Sequence, residues 1–239
     1  MTTSTLLPGS EVEATLHDWR AAARLIDHTL LQPDATALDL QRACEAALFY
    51  GFACVFVHPS RLAQAAVLLH SSNVRVGAPV GYSTGAALTT VKRLETEELL
   101  KLGAQELDMV MNVGALKSGE RTLVLNDMRG VVEIGHGGGA LVKVILETSL
   151  LTLEEKLLAC HLALDAHADF VKTSTGTAGG ATVDDVALMR GVVGRRAGVK
   201  ASGGIRSAEQ MAAMLAAGAN RIGSSASVAI LRELGAPAS

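Results

Sequence analysis

The sequence has few aromatic residues and no excess of positive charge. Its 239 residues include one Trp, two Tyr and four Phe, and 24 Asp and Glu outnumber 21 Lys and Arg. Nucleic-acid binding relies on basic surfaces and on aromatic side chains that stack with bases, and anionic lipids also select basic segments. The composition therefore predicts small-molecule partners, and neither nucleic acid nor a membrane.

Cysteines and metal-binding motifs are also scarce. Cys44, Cys54 and Cys160 are odd in number, far apart and without a C-x-x-C spacing, so neither a disulfide framework nor a zinc site is predicted. The seven histidines show no H-x-H or H-E-x-x-H spacing, and no metal site is predicted from them. Unpaired cysteines suit a reducing compartment, and we expect the protein to be cytoplasmic.

The sequence lacks any apolar run long enough to span a bilayer. It also lacks the basic start of a signal peptide, because Glu11 and Glu13 carry the first charges. Neither export nor membrane insertion is therefore predicted. Residues 1–12 are mostly small or polar, and we interpret them as a flexible leader before a helix around Thr15 to Leu25.

What the sequence does contain is an alternation of short β-branched or apolar segments with longer segments of helical period, as in repeated βα units. Three of the helical segments begin with a capping signal: Thr152 with Glu155, Thr182 with Asp185, and Ser207 with Gln210. Eight strands are predicted, at Leu25 to Leu31, Ala53 to Val57, Val74 to Gly81, Glu106 to Asn112, Leu141 to Glu147, Phe170 to Thr175, Val199 to Ser202 and Arg221 to Gly223.

Eight strand–helix pairs in a chain of this length predict an α/β fold, a single (β/α)₈ TIM barrel over residues 13–239 with a short helical extension before it. A doubly wound sheet can be built from the same units and is the alternative. In a barrel, residues at the carboxyl ends of the strands face the active site.

Three of the seven lysines interrupt predicted strands. Lys143, Lys172 and Lys200 lie in Leu-Val-Lys-Val-Ile, Phe-Val-Lys-Thr-Ser and Val-Lys-Ala-Ser-Gly. Because side chains alternate along a strand, the valines are expected to face the helices and the lysines the barrel interior. A buried ammonium is costly unless it is paired or has a function.

Two interpretations of these lysines remain open. They could form a structural ion network with Asp27, Asp108 and Glu147, which also lie in strands. Alternatively, Lys172 and Lys200 on adjacent strands repel each other by roughly 3 kcal/mol at about 5 Å, enough to lower one pKa by about two units. A lysine with a lowered pKa is a nucleophile that can form a Schiff base with a carbonyl, and Asp108 could then transfer protons.

The last two strands each lead into a turn of small residues, Ser202-Gly203-Gly204-Ile205-Arg206 and Gly223-Ser224-Ser225. Glycines let the backbone approach an anion, and a following helix presents unpaired N–H groups. The loops after strands 7 and 8 of a barrel often bind phosphate. The sequence thus predicts a phosphate site here, with further donors from Thr173 to Gly176.

Several long motifs resemble the deoxyribose-phosphate aldolase family, in order and over nearly the whole chain. They are LIDHTLL at 25–31, ELDMVMNVGALKSG at 106–119, VKVILET at 142–148, FVKTSTG at 170–176 and VKASGGIR at 199–206. The resemblance implies a (β/α)₈ barrel that reversibly cleaves 2-deoxy-D-ribose 5-phosphate to D-glyceraldehyde 3-phosphate and acetaldehyde, without a metal or organic cofactor.

The resemblance also implies the roles of individual residues. Lys172 would form the imine, Lys200 would lower its pKa and exchange protons, and Asp108 would be the proton donor and acceptor. The substrate would be bound by Asp27, Lys143, Thr175, Gly203, Gly204, Ser224 and Ser225.

The chain departs from the family pattern at several points. Gly81-Tyr82-Ser83-Thr84-Gly85-Ala86-Ala87 replaces the usual Gly-Phe-Pro-x-Gly-Ala-Asn, the loop at 176–180 is short, and Phe56 and His58 stand where Cys and Asn are frequent. These changes leave the lysines intact and bear on substrate preference.

Three alternative functions remain at this level. They are an imine-forming aldolase for another sugar phosphate, a noncatalytic barrel that binds a phosphometabolite, and a pyridoxal-phosphate enzyme. The helical exterior of a barrel is also compatible with a homo-oligomer, although the sequence shows no interface.

Overall fold

The computed structural model describes residues 9–238. Within them, eight parallel strands form a closed barrel in the order β1 to β8, and β8 pairs with β1. The (β/α)₈ barrel predicted from the sequence is confirmed, and the doubly wound sheet is wrong. The strands are β1 Ile26–Leu30, β2 Cys54–Val57, β3 Arg75–Val80, β4 Glu106–Val110, β5 Leu141–Ile145, β6 Phe170–Lys172, β7 Gly198–Ser202 and β8 Arg221–Ser224.

Helices surround the barrel, and two single 3-10 turns lie at Pro59–Arg61 and Thr148–Leu150. The helices of the described residues are α1 Gly9–His17, α2 Trp19–Ala23, α3 Ala37–Tyr50, α4 Leu62–Leu68, α5 Thr89–Lys101, α6 Val113–Lys117, α7 Arg121–Gly137, α8 Leu153–Asp165, α9 Val183–Val193, α10 Ala208–Ala216 and α11 Ser227–Glu233. No described helix combines the length and the hydropathy that crossing a membrane requires.

The amino-terminal extension differs from the sequence prediction. The single helix expected around Thr15 to Leu25 is two helices, because Asp18 adopts an extended conformation and its carboxylate accepts a hydrogen bond from Arg20 N at 2.9 Å. Asp18 thereby caps α2 and ends α1. Of the predicted leader, residues 1–8 lie outside the described residues, while 9–12 belong to α1.

The alternation of side chains along the strands follows the prediction. Val142, Val144, Val171 and Val199 are fully buried and belong to the hydrophobic core that the strands share with the helices. The charged residues between them therefore point into the barrel. All three predicted helix caps form, and Thr152 and Glu155 make a complete capping box.

Candidate active site

Asp108 lies between the three strand lysines. Its Oδ2 is 2.8 Å from Lys172 Nζ and 2.6 Å from Lys200 Nζ, and its Oδ1 is 2.8 Å from Lys143 Nζ. The strand register explains the geometry, because Lys172 pairs with Lys200 across β6 and β7 and Asp108 pairs with Lys143 across β4 and β5. The Asp108 carboxylate, which both ammonium groups contact, therefore weakens the repulsion between Lys172 and Lys200.

These side chains are almost completely withdrawn from solvent. Lys143 and Asp108 are 0% exposed, Lys200 is 1% exposed and Lys172 is 7% exposed. Lys172 alone among them lines a cavity at the carboxyl ends of the strands. It is therefore the lysine that a molecule entering the barrel would meet.

Burial lowers the pKa of Lys172 to about 8. The Asp108 carboxylate opposes this effect, and the charges of Lys200 and Lys143 add to it. The sequence predicted that repulsion from Lys200 lowers the pKa. Lys200 does contribute, but burial is the larger cause.

A second layer of charges lies deeper in the barrel. Lys143 Nζ is 2.6 Å from Glu106 and 3.6 Å from Asp27, and Lys200 Nζ is 2.6 Å from Asp27. Arg221 joins the two carboxylates, at 2.7 Å from Asp27 and 3.1 Å from Glu106. Asp27 and Lys143 are therefore parts of the network beneath the cavity, and neither lines the cavity itself.

Glu106 and Arg221 belong to the ion network although they were not predicted from the sequence. Glu147 was predicted to join the network and does not. Glu147 does not pair with the lysines; its carboxylate accepts hydrogen bonds from the N–H and the hydroxyl of Thr175. Glu106 precedes Asp108 by two residues, and Arg221 begins β8. Residues two apart in a strand face the same side, so Glu106 points into the barrel as Asp108 does, and this spacing could have identified it.

Counting charges shows that the network is not neutral when fully ionised. Lys143, Lys172, Lys200 and Arg221 face only three carboxylates, those of Asp27, Glu106 and Asp108. The three lysines hold the pKa of Asp108 well below its usual range against the effect of burial. Arg221, Lys200 and Lys143 hold the pKa of Asp27 at about 2, again against burial. With the three carboxylates ionised, loss of one proton from a lysine balances the charge.

Phe56 packs beneath the lysines. Its ring centroid is 4.1 Å from Lys200 Nζ, 4.3 Å from Lys143 Nζ and 6.0 Å from Lys172 Nζ. The face of an aromatic ring attracts cations while it excludes water. Gly77, the partner of Phe56 across β2 and β3, provides space for the ring, since a Cβ on residue 77 would lie 2.6 Å from it.

The cavity above Lys172 has a volume of about 240 Å³ and reaches the loops after β6, β7 and β8. Gly203 and Gly204 have φ angles of +92° and +80°, which are accessible to glycine at little cost. A Cβ on Gly203 would lie 3.0 Å from Gly179 O, whereas nothing lies within 4 Å of one on Gly204. The turn thus packs on the β6 loop on one side and leaves its backbone open on the other.

The predicted phosphate residues line this cavity together with Lys172. They are Gly203, Gly204, Ser224 and Ser225, with Thr175 beside them. The Ser224 hydroxyl already donates to Ile205 O at 2.7 Å and accepts from Ala226 N at 2.9 Å. The Thr175 hydroxyl is held by Glu147 and Thr177. Backbone groups and the Ser225 hydroxyl are therefore better placed to receive an anion than the Ser224 side chain.

One group of potential metal ligands occurs among the described residues, formed by Asp27, Cys54 and Glu106. Both carboxylates already contact Lys143 and Arg221. Burial, together with those carboxylates, raises the pKa of Cys54 well above its usual value. The group is thus charge-balanced by protein cations, and its thiol is in the protonated form that does not bind metals well.

Known proteins are similar to this chain in sequence and fold. The chain is 54% identical over 210 residues to the deoxyribose-phosphate aldolase of Streptococcus sanguinis and 52% identical over 210 residues to that of a Geobacillus species; each match covers 87% of this chain and 94% of the relative. Among solved structures, the tetrameric deoxyribose phosphate aldolase of Aeropyrum pernix is 33% identical, with a TM-score of 0.88 over 95% of this chain and 96% of the other.

The family model of the DeoC/LacD aldolases matches residues 21–234, which include all eight strands and every charged residue of the network described above. The chain therefore belongs to the DeoC/LacD family of aldolases.

Proposed function

We propose that this enzyme reversibly cleaves 2-deoxy-D-ribose 5-phosphate to D-glyceraldehyde 3-phosphate and acetaldehyde through a Schiff base on Lys172. One observation carries the proposal: Lys172 has a pKa of about 8, lines the cavity and contacts Asp108 at 2.8 Å. With this pKa about a tenth of the amine is unprotonated at pH 7, and this neutral form can attack a carbonyl. The relatives named deoxyribose-phosphate aldolase support the choice of substrate.

The first stage is imine formation. The neutral amine of Lys172 adds to the C1 aldehyde of the open-chain sugar, and the carbinolamine loses water to give an iminium ion. Loss of hydroxide requires a proton, which Lys200 can supply through Asp108, because Asp108 Oδ2 contacts the Nζ atoms of both Lys172 and Lys200. The positive iminium then takes the place of the Lys172 ammonium opposite Asp108.

The second stage breaks the C2–C3 bond. A base removes the proton of the C3 hydroxyl, the C2–C3 electron pair moves to form an enamine, and D-glyceraldehyde 3-phosphate leaves. Protonation of the enamine at C2 and hydrolysis of the imine release acetaldehyde. Asp108, ionised and hydrogen-bonded to three lysines, is the group that can pass these protons between Lys200 and the substrate.

The turns after β7 and β8 would bind the phosphate. Gly203 and Gly204 expose backbone to the cavity, and Ser225 adds a hydroxyl. Lys172 lies on β6, which is the neighbour of β7 in the barrel. A sugar phosphate with its phosphate at these turns can therefore extend its carbon chain towards Lys172.

Chemical trapping tests the mechanism. Incubation with deoxyribose 5-phosphate followed by borohydride reduction should attach the substrate carbons to Lys172, as located by peptide mass spectrometry. Lys172→Ala should lose the adduct and activity, and Lys200→Met should form it more slowly. The matched control is Lys101→Met, because Lys101 is exposed and pairs only with Glu98.

The same experiment separates the alternatives. Binding of the sugar phosphate without an adduct would indicate a noncatalytic barrel. An adduct with fructose or sedoheptulose phosphates but not with deoxyribose 5-phosphate would indicate another imine-forming aldolase. An absorbance band of bound pyridoxal phosphate in the purified protein would point to the third alternative.

A further inference from the structure

Tyr82 forms the wall of the cavity that faces the phosphate-binding turns. It follows β3, and β3 stands across the eight-stranded ring from β7, which leads into Gly203 and Gly204. Tyr82 lines the same cavity as Lys172 and these glycines. A molecule that reaches from Lys172 to the turns can therefore contact Tyr82.

Most hydroxyl groups that line the cavity are already engaged by the protein. The engaged groups are those of Thr29, Thr175, Thr177, Ser202 and Ser224, which bond to Asp27 O, Glu147, Thr175, Ser174 O and Ile205 O. Within residues 9–238, the Tyr82 hydroxyl makes no hydrogen bond and that of Ser225 makes none either. Because Ser225 belongs to the turn after β8, Tyr82 supplies the uncommitted hydroxyl outside the predicted phosphate site.

A ring contact and backbone hydrogen bonds hold Tyr82 in place. The ring packs edge to face against His58, with centroids 5.8 Å apart, and His58 Nε2 is bonded to Leu31 O at 2.9 Å. The turn that carries Tyr82 is held by Gly81 N, which donates to the Glu95 carboxylate at 2.7 Å, and by Gly85 N, which donates to Gly81 O at 2.9 Å.

The Tyr82 hydroxyl is a donor. Burial and, to a smaller extent, the Glu147 carboxylate raise the pKa of Tyr82 above its usual value, so the phenol keeps its proton near neutral pH. A fixed, protonated and unpaired hydroxyl in a half-buried site is ready to pair with an oxygen of the ligand.

Building on the proposed function, we propose that Tyr82 donates a hydrogen bond to the C4 hydroxyl of deoxyribose 5-phosphate and thereby makes the enzyme selective for aldehydes that carry a hydroxyl next to the carbonyl. The C3 oxygen exchanges a proton during cleavage and belongs near Asp108 and Lys172. C4 lies one carbon closer to the phosphate and becomes the hydroxyl-bearing carbon of D-glyceraldehyde 3-phosphate.

The test compares two acceptors in the direction of synthesis. Acetaldehyde is added either to D-glyceraldehyde 3-phosphate or to 3-oxopropyl phosphate, which lacks only the hydroxyl in question. Tyr82→Phe should lower kcat/KM about three- to tenfold for the first acceptor, the range expected for one neutral hydrogen bond, and less than twofold for the second. Tyr50→Phe is the matched control, because the Tyr50 hydroxyl bonds to Pro237 O away from the cavity.

Two results would overturn the assignment. An equal loss with both acceptors would place Tyr82 at the C3 oxygen or give it only a role in the shape of the cavity, and no loss with either would leave the phenol without a substrate partner. Failure of the proposed function looks different, because the unmodified enzyme would then convert neither acceptor and form no borohydride-stable adduct on Lys172. That result would remove both proposals together.

Discussion

Two lysines of the barrel interior, Lys143 and Lys172, have opposite ionisation behaviour, and the number of carboxylates that each contacts explains why. Lys143 lies within 4 Å of Asp27, Glu106 and Asp108, and these charges raise its pKa despite burial. Lys172 contacts Asp108 alone and has a pKa of about 8. At comparable burial, the number of paired carboxylates decides which lysine has a raised pKa and which has a lowered one.

The pH dependence of imine formation should therefore follow Lys172. Its reactive form is the neutral amine, so the rate of borohydride-trapped adduct formation is expected to rise with pH and to level off above about pH 8. Lys200→Met removes a neighbouring cation, which stabilises the Lys172 ammonium and shifts the rise to higher pH, by about one unit or more. Lys101→Met should leave the profile unchanged, and an unshifted profile in Lys200→Met would contradict the electrostatic role of Lys200.

At the scale of single elements, the sequence predicted the strands well and the amino-terminal helices poorly. All eight predicted strands exist, but most are shorter, as with Phe170–Lys172 where Phe170 to Thr175 was expected. Beyond Lys172, side chains bond to the neighbouring strand and loop: the Thr173 hydroxyl donates to Ser202 O at the end of β7, and the Thr175 hydroxyl donates to Glu147 in the loop after β5. Helical period continues across Asp18, and only its cap geometry reveals where α1 ends.

The capping box of α8 gives a prediction for this element. Thr152 accepts from Glu155 N at 3.3 Å, and Glu155 accepts from Thr152 N at 2.8 Å. Thr152→Ala should lower the free energy of unfolding by about 1 kcal/mol, which corresponds to a fall in Tm of roughly 2–4 °C. Thr152→Ser keeps the hydroxyl and should retain most of the stability in the same thermal scan. Equal Tm values for the Ala and Ser variants would show that the cap contributes nothing.

At the scale of the whole molecule, closure of the barrel creates part of the site. β8 pairs with β1, and this brings Arg221 to Asp27, 194 residues earlier in the chain. A local sequence pattern could identify Lys143, Lys172, Lys200 and Asp108, because each interrupts an apolar strand. It could not identify Arg221, since a charge at the first position of a strand is common and its importance depends on that distant pairing.

Arg221 should stabilise the closed barrel far more than its neighbour Arg75. Arg221 bridges Asp27 and Glu106 with a side chain that is 12% exposed, whereas Arg75 contacts Glu106 at 3.3 Å with a side chain that is 50% exposed. Arg221→Met leaves two buried carboxylates short of a partner and should lower the free energy of unfolding by about 3–5 kcal/mol.

Arg75→Met is the matched control and should cost less than about 1 kcal/mol. Urea unfolding of both variants makes the comparison. Similar losses in the two would mean that the other cations of the network satisfy Asp27 and Glu106 without Arg221.

The buried charges of the barrel network are also divided between the two halves of the chain. The carboxylates of Asp27, Glu106 and Asp108 lie on β1 and β4, whereas the lysines and Arg221 lie on β5 to β8. Separated fragments carrying β1–β4 and β5–β8 would thus have interiors of opposite sign. Two copies of one fragment would bring like charges together, while the two different fragments would neutralise each other. Charge complementarity inside the barrel therefore favours pairing of the two different halves over pairing of two identical ones.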